Sequence, residues 1–443
     1  MSGYLLTGGR VVDPASGTDA TNDVLIRDGL VVEVGSAIDA GDAETIDCTG
    51  LVIAPGLVDL HTHLREPGRE DEETIASGSA AAAAGGYTAL CAMPNTDPVA
   101  DSASLVEKVW ALGREAGLVD VIPAGALSKG LLGTEMSDIG EMARSIAGVR
   151  LFTDDGKGVQ DSLFVRRCME YLLAFDGVYA EHCEDAALAA GGQMHEGDRS
   201  MELGLRGIPA EAEELMAARD IALARLTGCR LHLLHISTVG TVELVRRAKA
   251  DGLRVTAEAT PHHFSLTDEI LTTYDPNAKV NPPLRTDTDR MAIVKGLADG
   301  TIDAIATDHA PHADHEKDQE FSYAPPGLIG LETALALTIT NLVEPGHLPL
   351  VDALDRLSTS PARILGLDDH GGPIAAGSGA NLVVFDPTAE WVVDATSSYS
   401  KSHNTPFAGM ALRGKARHTF FRGRQTVRDS IVLADTLAAG GAR

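Results

Sequence analysis

Hydrophobic and polar residues alternate in short runs at both ends of the chain, and in a different rhythm between them. "YLLTGGRVVDP", "DVLIRDGLVVEVG" and "ETIDCTG" near the start combine period-two alternation with Gly-Gly and Asp-Gly turns, a pattern that predicts β-strands. "ANLVVFDP", "EWVVDA" and "HTFFRGRQTVRD" near the end repeat that style. In the middle, apolar runs of strand length alternate with helix-length segments such as "SASLVEKVWALGREAG" and "TVELVRRAKADG". Eight runs can be counted: "LVIAPGLVDLHTH", "YTALCAMPN", "VDVIPAGAL", "VRLFTDDG", "GVYAEHCED", "CRLHLLHIS", "LRVTAEATPHH" and "IDAIATDHAPH". Repeated strand–helix units predict an α/β protein, a (β/α)8 TIM-type barrel over residues 56–365. Residues 1–55 and 366–443 are expected to join in one small β-sandwich domain built from both chain termini. A doubly wound open sheet is the competing arrangement, and polar residues at nearly every strand end argue against it.

Composition narrows the class without naming a substrate. The chain has 443 residues, 44% hydrophobic and 23% charged, ordinary globular values for a large domain with a smaller one. A formal net charge of -28 argues against nucleic acid and anionic membranes as partners. Five cysteines form no C-x-x-C pair, as expected of buried thiols in a reducing compartment. "MSGYLLTGGRVVDP" lacks a secretion signal, and no apolar run approaches the roughly 20 residues that span a bilayer, so a cytoplasmic location is expected.

Barrel enzymes carry their chemistry at the carboxyl ends of the strands. Those ends place His61 and His63 on the first strand, Asn95 on the second and Asp154 with Asp155 on the fourth. His182 ends the fifth, His235 the sixth and Asp308 the eighth. Residues two apart on a strand face one side, so His61 and His63 converge, and Arg65 follows if the extended geometry persists. Four imidazoles with two acids suit a pair of divalent ions roughly 3.5–4 Å apart that share a bridging carboxylate. Zinc fits an imidazole-rich site, and manganese and cobalt accept the same ligand types. His195, His232, His262, His263, His309 and His315 are expected to have structural or solvent-facing roles.

The segments "DLHTHLREPG", "AMPNTDP", "FTDDG", "EHCED", "LLHIST", "VNPPLR" and "ATDHAPH", in this order, resemble the dihydroorotases of the amidohydrolase superfamily. More narrowly they are similar to the bacterial type in which an aspartate replaces a carboxylated lysine as bridging ligand. The resemblance implies a zinc-dependent cyclic amide hydrolase with two Zn2+ ions per subunit. It would interconvert (S)-dihydroorotate and N-carbamoyl-L-aspartate in de novo pyrimidine biosynthesis. It assigns His61, His63 and Asp308 to one metal and His182 and His235 to the other. Asp155 bridges them on this reading, with Asp154 as the alternative. Lys157 lies beyond in a turn and is expected in solvent.

The same resemblance makes Asp308 the catalytic proton carrier. Arg65, Asn95, Asn281 and His312 become substrate-binding residues, and Pro326 and Gly327 of "YAPPGLIG" would contact the ring through their backbone. Residues 313–327 are expected to form a flap over the site. A homo-oligomer is expected, with aspartate transcarbamoylase as a possible associate. Two rivals remain open: another cyclic amidohydrolase (allantoinase or hydantoinase/dihydropyrimidinase), and a non-catalytic scaffold homologue.

Overall fold

Strands from both ends of the chain meet in one mixed sheet, in the computed structural model, which describes residues 3–433. Its nine strands are Tyr4–Asp13, Thr18–Arg27, Leu30–Gly35, Glu44–Asp47 and Val52–Pro55 from the front, and Leu382–Val392, Ala411–Phe421, Arg424–Arg428 and Ile431–Val432 from the back. The seam is antiparallel, Pro55 opposite Leu382 and Val52 opposite Phe385. Leu6, Val24, Ile53, Leu382, Val384 and Phe420 from both ends fill a core of their own on this sheet.

The apolar run "LVIAPGLV" is two strands. Val52–Pro55 belongs to the terminal sheet, and Leu57–Thr62 opens the parallel part. Gly56 makes the break: a Cβ there would lie 2.3 Å from the Thr88 side chain, so only glycine lets the chain pass so close.

Each of the eight central runs contains a strand: Leu57–Thr62, Tyr87–Ala92, Asp120–Pro123, Leu151–Thr153, Val178–Glu181, Arg230–Leu233, Val255–Ala259 and Ala304–Ile305. The first three pair in order, all parallel. Gly125–Ala126 extends the third towards the fourth, and the fourth to the eighth again pair in parallel order. Thr62 forms a parallel bridge with His309, and His63 N–H donates to His309 O at 2.8 Å. The buried Asp59 carboxylate accepts from Thr307 N at 3.1 Å and His61 N at 3.0 Å, fastening the first strand to the segment after the eighth. Such strands are covered on both faces, which explains their continuous apolar runs.

The alanine-rich helix Ile75–Gly85 starts at Thr74, whose hydroxyl accepts from Ser77 N, and ends at Gly86 with φ 94°, a left-handed cap that favours glycine. Its small side chains let it lie between the parallel strands and the terminal sheet, where Thr419 Oγ1 donates to Ala83 O at 2.8 Å. Among the described residues no helix is long and apolar enough to cross a membrane. All five cysteines are buried and free.

Candidate active site

The carboxyl ends of the parallel strands bring six side chains to one buried cluster. His61 lies one residue before the end of the first strand and His63 one residue past it, their ring centroids 5.2 Å apart. Asp155 follows the fourth strand, His182 the fifth, His235 the sixth and Asp308 the eighth, all buried. Asp155 occupies the middle. Its Oδ2 lies 3.4 Å from both His61 Nε2 and His63 Nε2. Its Oδ1 lies 3.6 Å from His235 Nε2 and 3.8 Å from His182 Nδ1, two nitrogens that themselves approach to 2.9 Å. Each carboxylate oxygen therefore faces its own pair of imidazoles. Asp308 Oδ1 adds a third side to the first pair, 3.1 Å from His63 Nε2 and 3.5 Å from His61 Nε2.

Two overlapping groups, His61/His63/Asp155 and Asp155/His182/His235, have ligand atoms close enough to hold one ion each. Two buried atoms that face into this cluster, His61 Nε2 and Asp155 Oδ1, make no hydrogen bond. Buried polar atoms without partners are costly, and convergent ones of this kind suit divalent cations. Asp154 goes elsewhere. Its carboxylate accepts from Leu127 N and Ser128 N, both at 2.9 Å, and from the Ser128 hydroxyl, so it braces a neighbouring turn. Lys157 is exposed.

The imidazoles on the first strand are oriented from behind. His61 Nδ1 donates to Glu258 Oε1 at 2.8 Å and His63 Nδ1 to Asn95 Oδ1 at 2.9 Å, which turns both Nε2 atoms inward. Burial pushes the Glu258 carboxyl up, but hydrogen bonds with His232 and His61 outweigh it and hold Glu258 at about 2. For Asp308 and Asp155, burial is again outweighed, chiefly by His61, and both are held below the usual carboxylate range. For His61, burial acts downward and Asp155 and Asp308 override it, raising it well above the usual value.

Three of the expected site residues other than glycine carry left-handed backbone: Arg65 with φ 61°, His235 with φ 31° and Asp308 with φ 49°. Each such conformation costs on the order of 1–3 kcal/mol and is typical of sites where geometry serves function.

A family model described as Dihydro-orotase-like matches residues 50–241. A dihydroorotase from Streptomyces coelicolor is 50% identical over 430 residues, covering 97% of this chain and 99% of that one. One from Mycobacterium tuberculosis is 48% identical, covering 93% of this chain and 96% of its own. The chain belongs to the dihydroorotase family. Among solved structures, the L-hydantoinase (dihydropyrimidinase) of Arthrobacter aurescens superposes with a TM-score of 0.86 at 25% identity, covering 98% of each chain. The dihydropyrimidinase of Brevibacillus agri gives 0.86 at 24%, over 97% of this chain and 96% of that one. These neighbours agree with an α/β fold of the TIM-barrel kind beside a mixed sheet.

Around the cluster of this dihydroorotase-family chain, Arg65 and His312 lie together, Arg65 Nη2 being 3.4 Å from His312 Nε2. Asn281 Nδ2 donates to Glu184 Oε2 at 2.9 Å and lies 3.4 Å from His182 Nε2. Pro326 O faces His312 Nε2 at 3.0 Å. Both backbone groups of Gly327 are engaged, N–H with Lys279 O and carbonyl with Asn404 Nδ2. The segment expected as a flap is tied down: Lys317 Nζ donates to Pro276 O and Pro325 O, and Lys279 Nζ to Phe321 O.

His309 turns away, accepting from Gly330 N and pairing with Glu73, and His263 spans Thr260 and Pro282. His232 pairs with Glu258, and His195 meets Arg285. Glu258 and Glu72 were missed by sequence reasoning. Glu258 carried one signal, an acid inside a strand buried on both faces. Glu72 sits in an irregular loop and carried none. With His312 and Glu316 it forms a third group of suitable ligand spacing, but Arg65 and Arg69 already pair with Glu72.

Proposed function

We propose that this chain catalyses the reversible ring opening of (S)-dihydroorotate to N-carbamoyl-L-aspartate in pyrimidine biosynthesis. Near-full-length identity to dihydroorotases carries the reading, and the buried arginine beside the His/Asp cluster supports an anionic substrate. In this reading the eight parallel strands are one closed (β/α)8 barrel, residues 56–365. The described residues 3–55 and 366–433 then make the β-sandwich, and residues 1–2 and 434–443 of that expectation lie outside the described residues.

His61, His63 and Asp308 would hold one Zn2+ and His182 and His235 the other, with Asp155 between. Such ions acidify water and polarise a carbonyl. Glu258 and Asn95 keep the lone pairs of His61 and His63 pointed at the cluster. The Asp308 carboxylate takes the proton of the attacking water and passes it to the departing ring nitrogen, as base and then acid. Arg65 grips the substrate carboxylate through a planar fork that suits it and Asn95 Nδ2 adds an amide donor, while His312 backs Arg65 Nη2 beside them and Asn281 lines the ring with Pro326 and Gly327. Held by these contacts, the ring carbonyl is set against the nucleophile.

Assaying purified protein on dihydroorotate, allantoin and dihydrouracil tests the reading. Turnover is expected on dihydroorotate, and a preference for either uncharged ring would overturn it. Arg65→Met should raise KM for dihydroorotate by about 10²-fold with a smaller effect on kcat, because a buried charge partner is lost. Metal analysis and light scattering measure the two ions per subunit and the homo-oligomeric state that complete the proposal.

A further inference from the structure

Glu72 is fully buried in the loop after the first parallel strand, and no role above uses it. Its carboxylate lies 3.0 Å from Arg65 Nε, 3.1 Å from His312 Nδ1 and 2.5 Å from Arg69 Nη2. The single Arg65 Nε–H donates to Pro311 O at 3.0 Å, so Glu72 Oε2 holds the guanidinium as an ion pair without a hydrogen bond, and His312 N–H donates to Asn404 Oδ1 at 3.1 Å. One carboxylate thus joins two loops whose receptor residues are 247 positions apart in the chain. Arg65 needs such a restraint, because its left-handed backbone is not the conformation an arginine adopts unaided.

His312 has an acceptor at each ring nitrogen, Glu72 Oε1 and Pro326 O. Burial, with Arg65 and Lys317 nearby, pushes the imidazole down to about 3, so it is neutral and has one N–H for two acceptors. Donation to Glu72 leaves Nε2 as a lone pair towards Arg65 Nη2. Donation to Pro326 breaks that arrangement. The charged groups around the ring are Arg65, Glu72, Glu316 and Lys317, with Arg69 behind Glu72 and Lys279 near Lys317.

We propose that Glu72 is a positioning residue for the substrate carboxylate: it fixes the Arg65 guanidinium and selects the His312 Nδ1–H tautomer that supports it. The inference rests on the functional reading above and deepens it. The simpler alternative is that Glu72 merely neutralises two guanidiniums. The two predict opposite signs. Deleting one negative charge strengthens attraction for an anion, whereas losing the placement of Arg65 weakens its grip.

Glu72→Gln and Glu72→Asp, each checked for wild-type metal content and circular dichroism, separate these. Gln keeps the shape without the charge, and Asp keeps the charge but withdraws it by one methylene. Both should raise KM for dihydroorotate about 10- to 100-fold, with kcat retained within about threefold. If Glu72→Gln fails to fold, Glu72→Asp decides. A KM that stays level or falls in Glu72→Gln, or is wild-type in Glu72→Asp, overturns the proposal while leaving the function intact. A wild-type protein inactive on dihydroorotate sinks the functional reading itself.

Discussion

Asp308→Asn should lower kcat for dihydroorotate by about 10²–10⁴-fold, the range expected when a positioned proton carrier is lost. The substitution is nearly isosteric. Asparagine also tolerates the left-handed backbone found there, φ 49°, so the fold is expected to survive. What disappears is a carboxylate held ionised by its neighbours and 3.1 Å from His63 Nε2. The amide cannot take a proton from water at neutral pH and return it to a ring nitrogen. Steady-state kinetics with parallel metal analysis check this. A variant with wild-type metal content and kcat within tenfold of wild type would remove Asp308 from the proton path.

The second large effect separates two adjacent aspartates. Asp155→Ala should lose bound metal and activity together, because each of its oxygens faces a different pair of imidazoles. Asp154→Ala should keep its metal and instead lose stability on the order of 2 kcal/mol, having left the buried Ser128 N–H and the Ser128 hydroxyl without an acceptor and Leu127 N–H with Thr153 O alone. Metal content by elemental analysis and unfolding midpoints in denaturant give the two readouts. If Asp154→Ala released the metal and Asp155→Ala retained it, the bridging assignment would be reversed.

Much of this molecule is written locally. The eight strands and their order follow from short apolar runs, and the histidines and aspartates at their carboxyl ends follow from alternation and turn chemistry within each run. His61 and His63 point the same way because two residues of strand fix them so. The sequence also held both members of the Asp154–Asp155 pair without distinguishing them. Their backbone is continuous, and only the turn at Leu127 and Ser128 decides which carboxylate is left for the cluster.

The remaining features depend on partners far along the chain. Glu258 meets His61 across 197 residues, and Arg65 meets His312 across 247. The break at Gly56 depends on the Thr88 side chain, and the hold on the segment before Gly327 depends on Lys279 and Lys317. Periodicity reports which face of an element is apolar, and so the sequence alone determined the strands, their order and the residues presented at their ends. Which buried charge finds which counter-charge is set by how the parallel strands and their loops pack against one another, where desolvation makes an unmatched group costly, and that was decided only by the tertiary structure.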